Sequence, residues 1–111
     1  CRINAENSEN FNPSTGTIGL FHPPAGNGIR IDTFIYSGYK VPHYYDNLLA
    51  KLIATGRTRN HAIKRALRGL NEIVIDGIET NIELHKKILS SEDFKKGSVS
   101  INWLEKNISL L

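Results

Sequence analysis

Hydrophobic and polar positions change their period once along this chain. Over residues 1–6 they alternate, with Cys1, Ile3 and Ala5 on one face and Arg2, Asn4 and Glu6 on the other, which predicts a half-buried strand. On the pattern alone, Arg2, Asn4 and Glu6 need do no more than face water. A polar turn at 7–10 and a second turn signal, Pro13-Ser14-Thr15-Gly16, lead to a short strand predicted over 17–21. Residues 22–28 form a loop in which Pro23 and Pro24 limit the backbone while Gly26 and Gly28 admit positive φ. Ile29, Ile31, Thr33 and Ile35 then alternate with Arg30, Asp32, Phe34 and Tyr36, the clearest strand pattern in the chain. Residues 48–54 are apolar apart from Lys51 and too few for a typical helix, so a buried strand is expected there.

Beyond Thr58, a suitable N-cap, the period becomes helical. Ala62, Ile63, Ala66, Leu67, Leu70, Ile73 and Val74 recur on one side, with Arg59, Lys64, Arg65 and Arg68 on the other. A short strand at 73–75 and a turn at Asp76-Gly77 follow. Thr80-Asn81-Ile82-Glu83 reads as a capping box opening a helix to about residue 89. Ser91 can cap one more turn through Phe94, and 101–108 makes a last short helix anchored by Trp103 and Leu104. The expected fold is therefore α+β: short antiparallel strands in the first half packed with two to four helices in the second. The change of character falls within residues 38–53, where Tyr39, Pro42, Tyr44, Tyr45 and Asp46 run directly into the apolar segment.

Composition narrows this picture rather than altering it. The 111 residues suffice for one domain with a modest core, and 40% are hydrophobic, which excludes a disordered chain. A net charge of +3 is only mildly basic. The Arg59–Arg68 face is accordingly read first as solvated, with a nucleic-acid surface as the rival. The single cysteine, Cys1, supports neither a disulfide framework nor a cysteine metal cluster and fits a reducing interior compartment. No apolar run reaches the roughly 18 residues of a membrane span, and the first residues lack a signal-peptide pattern. There is no methionine, so the chain is expected to be a piece of a longer protein.

Common catalytic motifs are missing. There is no phosphate-binding glycine loop of the Walker kind, no Gly-x-Ser-x-Gly and no His-Glu-x-x-His. His22, His43, His61 and His85 show no ligand spacing, and each reads as a surface or core polar group. Asn107-Ile108-Ser109 matches a glycosylation sequon, which is discounted without a secretory signal. Residue chemistry by itself stops at an α+β domain.

A family resemblance carries the reading further. Cys1-Arg2-Ile3-Asn4-Ala5-Glu6, Phe11-x-Pro13-Ser14-x-Gly16, Tyr36-x-Gly38-Tyr39-x-Val41-Pro42-x-Tyr44-Tyr45-Asp46 and Lys51-Leu52 come in one order with fixed spacing. Ile75-Asp76-Gly77-Ile78-x-Thr80-Asn81 and Trp103-Leu104-Glu105-Lys106 continue it. Together they closely resemble the carboxy-terminal domain of biotin carboxylase over essentially all of residues 1–111. One departure is Asn27, where that family commonly has a bulky apolar residue.

The resemblance implies part of an ATP-dependent ligase that carboxylates carrier-bound biotin with bicarbonate. An ATP-grasp region upstream would hold ATP, Mg and bicarbonate, so no metal ligands are assigned in this chain. This domain would close the active site from the other side. By the resemblance, Arg2 is the catalytic residue that meets the biotin ureido oxygen. The chemistry suits it: carboxylating a ureido nitrogen removes its proton and places negative charge on the oxygen, which a permanently charged, forked guanidinium can stabilise. Asp46 would orient Arg2, or would simply cap a turn. Ile101 matches a position that packs on the adenine ring, with ordinary core packing as the alternative. Asn27 and Arg30 match a homodimer contact. The implied partners are a biotin carboxyl carrier protein, a second copy of the chain and, depending on the parent, carboxyltransferase subunits. The implied setting is the cytoplasm and acetyl-CoA carboxylase of fatty acid biosynthesis, or a related biotin-dependent carboxylase. The end of the chain soon after Trp103-Leu104-Glu105-Lys106 favours a separate subunit over a multidomain carboxylase. No nucleic-acid or membrane partner is expected. The rival class is a non-catalytic interaction or dimerisation module in which the tyrosine stretch docks a partner.

Overall fold

The computed structural model describes residues 1–43 and 46–111. Tyr44 and Tyr45, part of the aromatic stretch singled out above, lie outside the described residues. In chain order the elements are β1 (Arg2–Asn4), β2 (Gly16–Thr17), β3 (Phe21–His22), β4 (Ile29–Thr33), β5 (Lys40–Val41), β6 (Leu48–Ala54), α1 (Arg59–Glu72), β7 (Val74–Ile75), α2 (Ile82–Ser90), α3 (Glu92–Lys96) and α4 (Trp103–Asn107), followed by a 3₁₀ turn, Ile108–Leu110. The α+β expectation holds, with antiparallel strands early and the helices late.

β6 is the organising strand. It lies in the middle of a three-stranded antiparallel sheet, β1-β6-β4, and its two faces feed two cores. Ala50 and Leu52 join Ile3, Ile63, Ala66, Leu70, Ile73, Ile82 and Leu89 beneath the helices. Leu49, of opposite parity, joins Ala5, Ile18, Ile35 and Val41. Burial on both sides is why residues 48–54 lack the alternation of a half-exposed strand. Helix α1 lies close against the sheet at Gly69, where an added Cβ would come 3.1 Å from a Leu52 methyl.

Several boundaries differ from the sequence pattern, each for a local reason. The strand expected at 17–21 is two short pieces, because Gly16–Thr17 pairs with β5 while Phe21–His22 pairs with β7. The strand expected at 29–36 stops at Thr33, whose hydroxyl donates to the Leu49 carbonyl at 2.7 Å and accepts from the Ile35 amide at 3.2 Å, replacing the ladder. Cys1, expected on the packed face with Ile3 and Ala5, is exposed. Thr58 caps α1 as expected, accepting from the His61 amide at 3.1 Å, and Ser91 likewise caps α3. The last helix is shorter than 101–108, with Trp103 and Leu104 only half-buried.

The capping box at the start of α2 does not form. Asn81 takes the N-cap position without making a side-chain cap bond. Its carboxamide is spent on β1 instead, and a side chain committed to a strand edge is not available to the helix amides.

Candidate functional site

Arg2 lies on β1, an edge strand of the main sheet, with its side chain 57% exposed. Its partner across the ladder is Lys51 of β6, and Lys51 in turn faces Asp32 of β4. Directly paired residues share a sheet face, so this exposed row reads Arg2, Lys51, Asp32. Two cations side by side are unfavourable for the sheet itself but raise the local positive potential. Between Ile3 and Asn4 the ladder slips: Ile3 pairs with Ala50 and Asn4 with Leu48. The extra residue, Leu49, belongs to β6, so the bulge lies on β6 opposite the step from Ile3 to Asn4.

Asp46 stands at the entry to β6. Its Oδ1 accepts from the Leu48 amide at 3.0 Å and lies 3.7 Å from Arg2 Nη2. The turn-capping role is met by the bond from the Leu48 amide. The Arg2 contact is an ion pair too long for a hydrogen bond.

The backbone of Arg2 is held from the other side by α2. Asn81 Nδ2 donates to the Arg2 carbonyl at 3.0 Å, while its Oδ1 accepts from the Asn4 amide at 2.8 Å. The orientation of that carboxamide follows from its partners, since an amide hydrogen can only donate and a carbonyl can only accept. His85, one turn further on, brings Nε2 to 2.8 Å from the same Arg2 carbonyl. Nε2 must therefore carry the proton, and its 3.3 Å approach to Asn81 Nδ2 is two donors converging on one acceptor. Burial pulls the His85 pKa below its ordinary 6.5, opposed by the bond to the Arg2 carbonyl. Asn81 and His85 were missed in the sequence. Asn81 looked like part of a capping box and His85 like one of four unremarkable histidines.

The arginines of α1 behave differently from Arg2. Arg59 donates to the Phe94 carbonyl and stacks over its ring, Arg65 donates to the Thr55 carbonyl, and Arg68 donates to the carbonyls of Ala25 and Asn27. Three of the four cations on the basic face of α1 thus serve internal contacts. Among the described residues the ionic partner of Arg2 is Asp46 alone. Its guanidinium remains open to solvent.

The chain as a whole is similar to known proteins. The model of the biotin carboxylase C-terminal domain matches residues 1–106. The chain belongs to that family. It is 47% identical over 110 residues to the biotin carboxylase of Pseudomonas aeruginosa, an alignment covering 99% of this chain and 24% of that relative. The biotin carboxylase domain of Hydrogenobacter thermophilus 2-oxoglutarate carboxylase, solved as a dimer with MgADP, ADP and bicarbonate, superposes with a TM-score of 0.95 at 37% identity, covering 99% of this chain and 24% of that one. The Campylobacter jejuni biotin carboxylase solved with a β,γ-ATP complex gives 0.92 at 38% identity, over 96% of this chain and 24% of that one. The chain thus spans about a quarter of the length of the relatives it matches.

The remaining residues flagged by the family pattern fall on the surface. Ile101 lies in the turn before α4 and is 97% exposed, outside both core clusters, so ordinary core packing does not explain it. Asn27 and Arg30 are exposed, with Arg30 Nη2 donating to Asp32 Oδ2 at 3.1 Å. Among the described residues no group of acidic, histidine or cysteine side chains could hold a metal ion, and no helix is long and apolar enough to cross a membrane.

Proposed function

We propose that this domain supplies the biotin-facing arginine of an ATP-dependent biotin carboxylase and closes its active site. The observation that carries the reading is the placement of Arg2: its guanidinium stays solvent-facing beside Asp46 and Lys51 while its backbone is tied down on both sides. A fixed base with an open fork suits an oxygen that gains charge only during reaction. Arg2 would meet the ureido oxygen of carrier-bound biotin and stabilise the charge left when the ureido nitrogen loses its proton. A permanently protonated guanidinium does this without giving up a proton of its own.

The other groups of the reaction are assigned elsewhere. Mg, ATP and bicarbonate are assigned to an ATP-grasp region upstream. Ile101, an apolar side chain left in solvent, is assigned to the adenine ring. The dimer among the similar structures supports a homodimer, and Asn27 and Arg30 are assigned to its contact. A biotin carboxyl carrier protein, carboxyltransferase subunits and a cytoplasmic place in acetyl-CoA carboxylase complete the reading, supported by the relatives named biotin carboxylase.

The test is Arg2→Gln in the full-length enzyme. Biotin carboxylation should fall by about 10²–10³, the usual loss when one preorganised donor to a developing oxyanion is removed. Bicarbonate-dependent ATP hydrolysis without biotin should persist. Arg2→Lys should recover little, because a point charge on a flexible stem does not reproduce the fork. If the two rates fall together, Arg2 serves ATP, bicarbonate or domain closure and the ureido role is wrong.

A further inference from the structure

We infer that Asn81 and His85 are positioning residues for Arg2, acting through its main-chain carbonyl; the inference rests on the ureido role proposed for Arg2. β1 is an edge strand of only three residues. One side of it pairs with β6. The other side would leave backbone groups open, and α2 covers them. Asn81 Nδ2 and His85 Nε2 both donate to the Arg2 carbonyl, Asn81 Oδ1 accepts from the Asn4 amide, and the Asn81 amide donates to the Asn4 carbonyl at 3.3 Å. One carboxamide therefore covers two groups of the strand edge, the task a neighbouring strand would otherwise perform.

The consequence is directional. A three-residue edge strand whose pairing with β6 slips after Ile3 has little of its own to hold the plane of the peptide following Arg2. The guanidinium stands at the end of a long, exposed side chain, so a small rotation of that peptide is amplified at the fork. Asn81 is only 6% exposed and sits among core residues at the start of α2, giving the clamp a rigid base. His85 fills the carbonyl's second acceptor site. Neither side chain approaches the face where Arg2 meets Lys51 and Asp46, so their effect passes through Arg2. This differs from a general structural role, which would disturb ATP turnover as much as biotin carboxylation.

The experiment compares His85→Leu, His85→Gln and Arg2→Gln in the full-length enzyme, with free biotin as acceptor. Two rates are read in each preparation: biotin carboxylation, and bicarbonate-dependent ATP hydrolysis without biotin. His85→Leu removes a donor at similar volume and should lower the ratio of the two rates by about three- to tenfold, the span of one hydrogen bond. Glutamine carries an N–H donor on a comparable reach, so His85→Gln should return the ratio to within about twofold of wild type, with the KM for ATP unchanged in both. Asn81→Asp, which replaces a donor with an acceptor at nearly constant shape, should lower the ratio further than His85→Leu. Equal loss of both rates in His85→Leu, or equal damage from leucine and glutamine, would overturn the inference. If Arg2→Gln collapses the ratio and His85→Leu leaves it intact, the positioning role fails and the Arg2 reading stands. If Arg2→Gln leaves the ratio intact, the Arg2 reading falls and the positioning role with it.

Discussion

Asp46 Oδ1 lies 3.7 Å from Arg2 Nη2 while the same oxygen accepts the Leu48 amide at 3.0 Å. The carboxylate is thus anchored to the start of β6 and presented to the arginine from a fixed point. The two functions are separable by substitution. Asp46→Asn keeps an oxygen for Leu48 and removes the charge. With both side chains more than half exposed, the ion pair should contribute less than about 1 kcal/mol to stability, so the urea midpoint should barely move. Asp46→Ala loses the turn bond as well and should cost about 1 kcal/mol. Biotin carboxylation should fall in both. A stability loss as large in Asn as in Ala would show that the charge, rather than the turn, holds this segment.

Ile101 makes a second case, because its side chain is almost entirely in solvent within this domain. Ile101→Ser should leave thermal stability within about 0.5 kcal/mol of wild type, as surface substitutions usually do. It should raise the KM for ATP several-fold in the full-length enzyme. An unchanged KM with a lowered melting temperature would place Ile101 in a packing role with another part of the protein.

His85 sets a pH dependence whose sign can be worked out. Burial lowers its folded-state pKa below the ordinary 6.5, so just below pH 6.5 the unfolded chain binds a proton that the folded chain does not. Its contribution to stability is then complete above about pH 6.5 and declines as pH falls through that value, levelling off below the folded-state pKa. His85→Gln removes the titration while keeping a donor. Across urea midpoints measured from pH 7.5 to 5.0, the wild-type midpoint should therefore fall relative to that of His85→Gln as pH falls. Parallel curves would mean that His85 titrates alike in both states.

Asn27 and Arg30 flank Gly28, which has φ +71° and leads into β4. The Asn27 carbonyl is held by Arg68, but Asn27, in the loop, and Arg30, on β4, are both exposed. Asn27→Arg or Arg30→Glu should weaken self-association of the full-length enzyme while leaving its unfolding midpoint nearly unchanged. Sedimentation across a dilution series checks this, and an unchanged profile would remove these residues from the dimer contact.

The sequence by itself determined the elements whose signals are local. Thr58 and Ser91 were readable as caps because an N-cap bond spans only a few residues, and β6 was readable as a buried strand because its apolar run reflects burial on both faces. Arg2 could be singled out only through the family pattern around it, and its side chain is open to solvent. What only the tertiary structure decided are the long-range commitments of polar side chains. Asn81 could equally have capped its own helix, and nothing within a few residues reveals that its carboxamide closes the edge of a strand 79 positions away. His85 reaches the same carbonyl across 83 positions, and Arg59, Arg65 and Arg68 look like a free basic face until the carbonyls they bind are known. A side chain's local options are written in its neighbours along the chain, but the choice among them is made by which unpaired backbone groups the folded chain brings within about 3 Å.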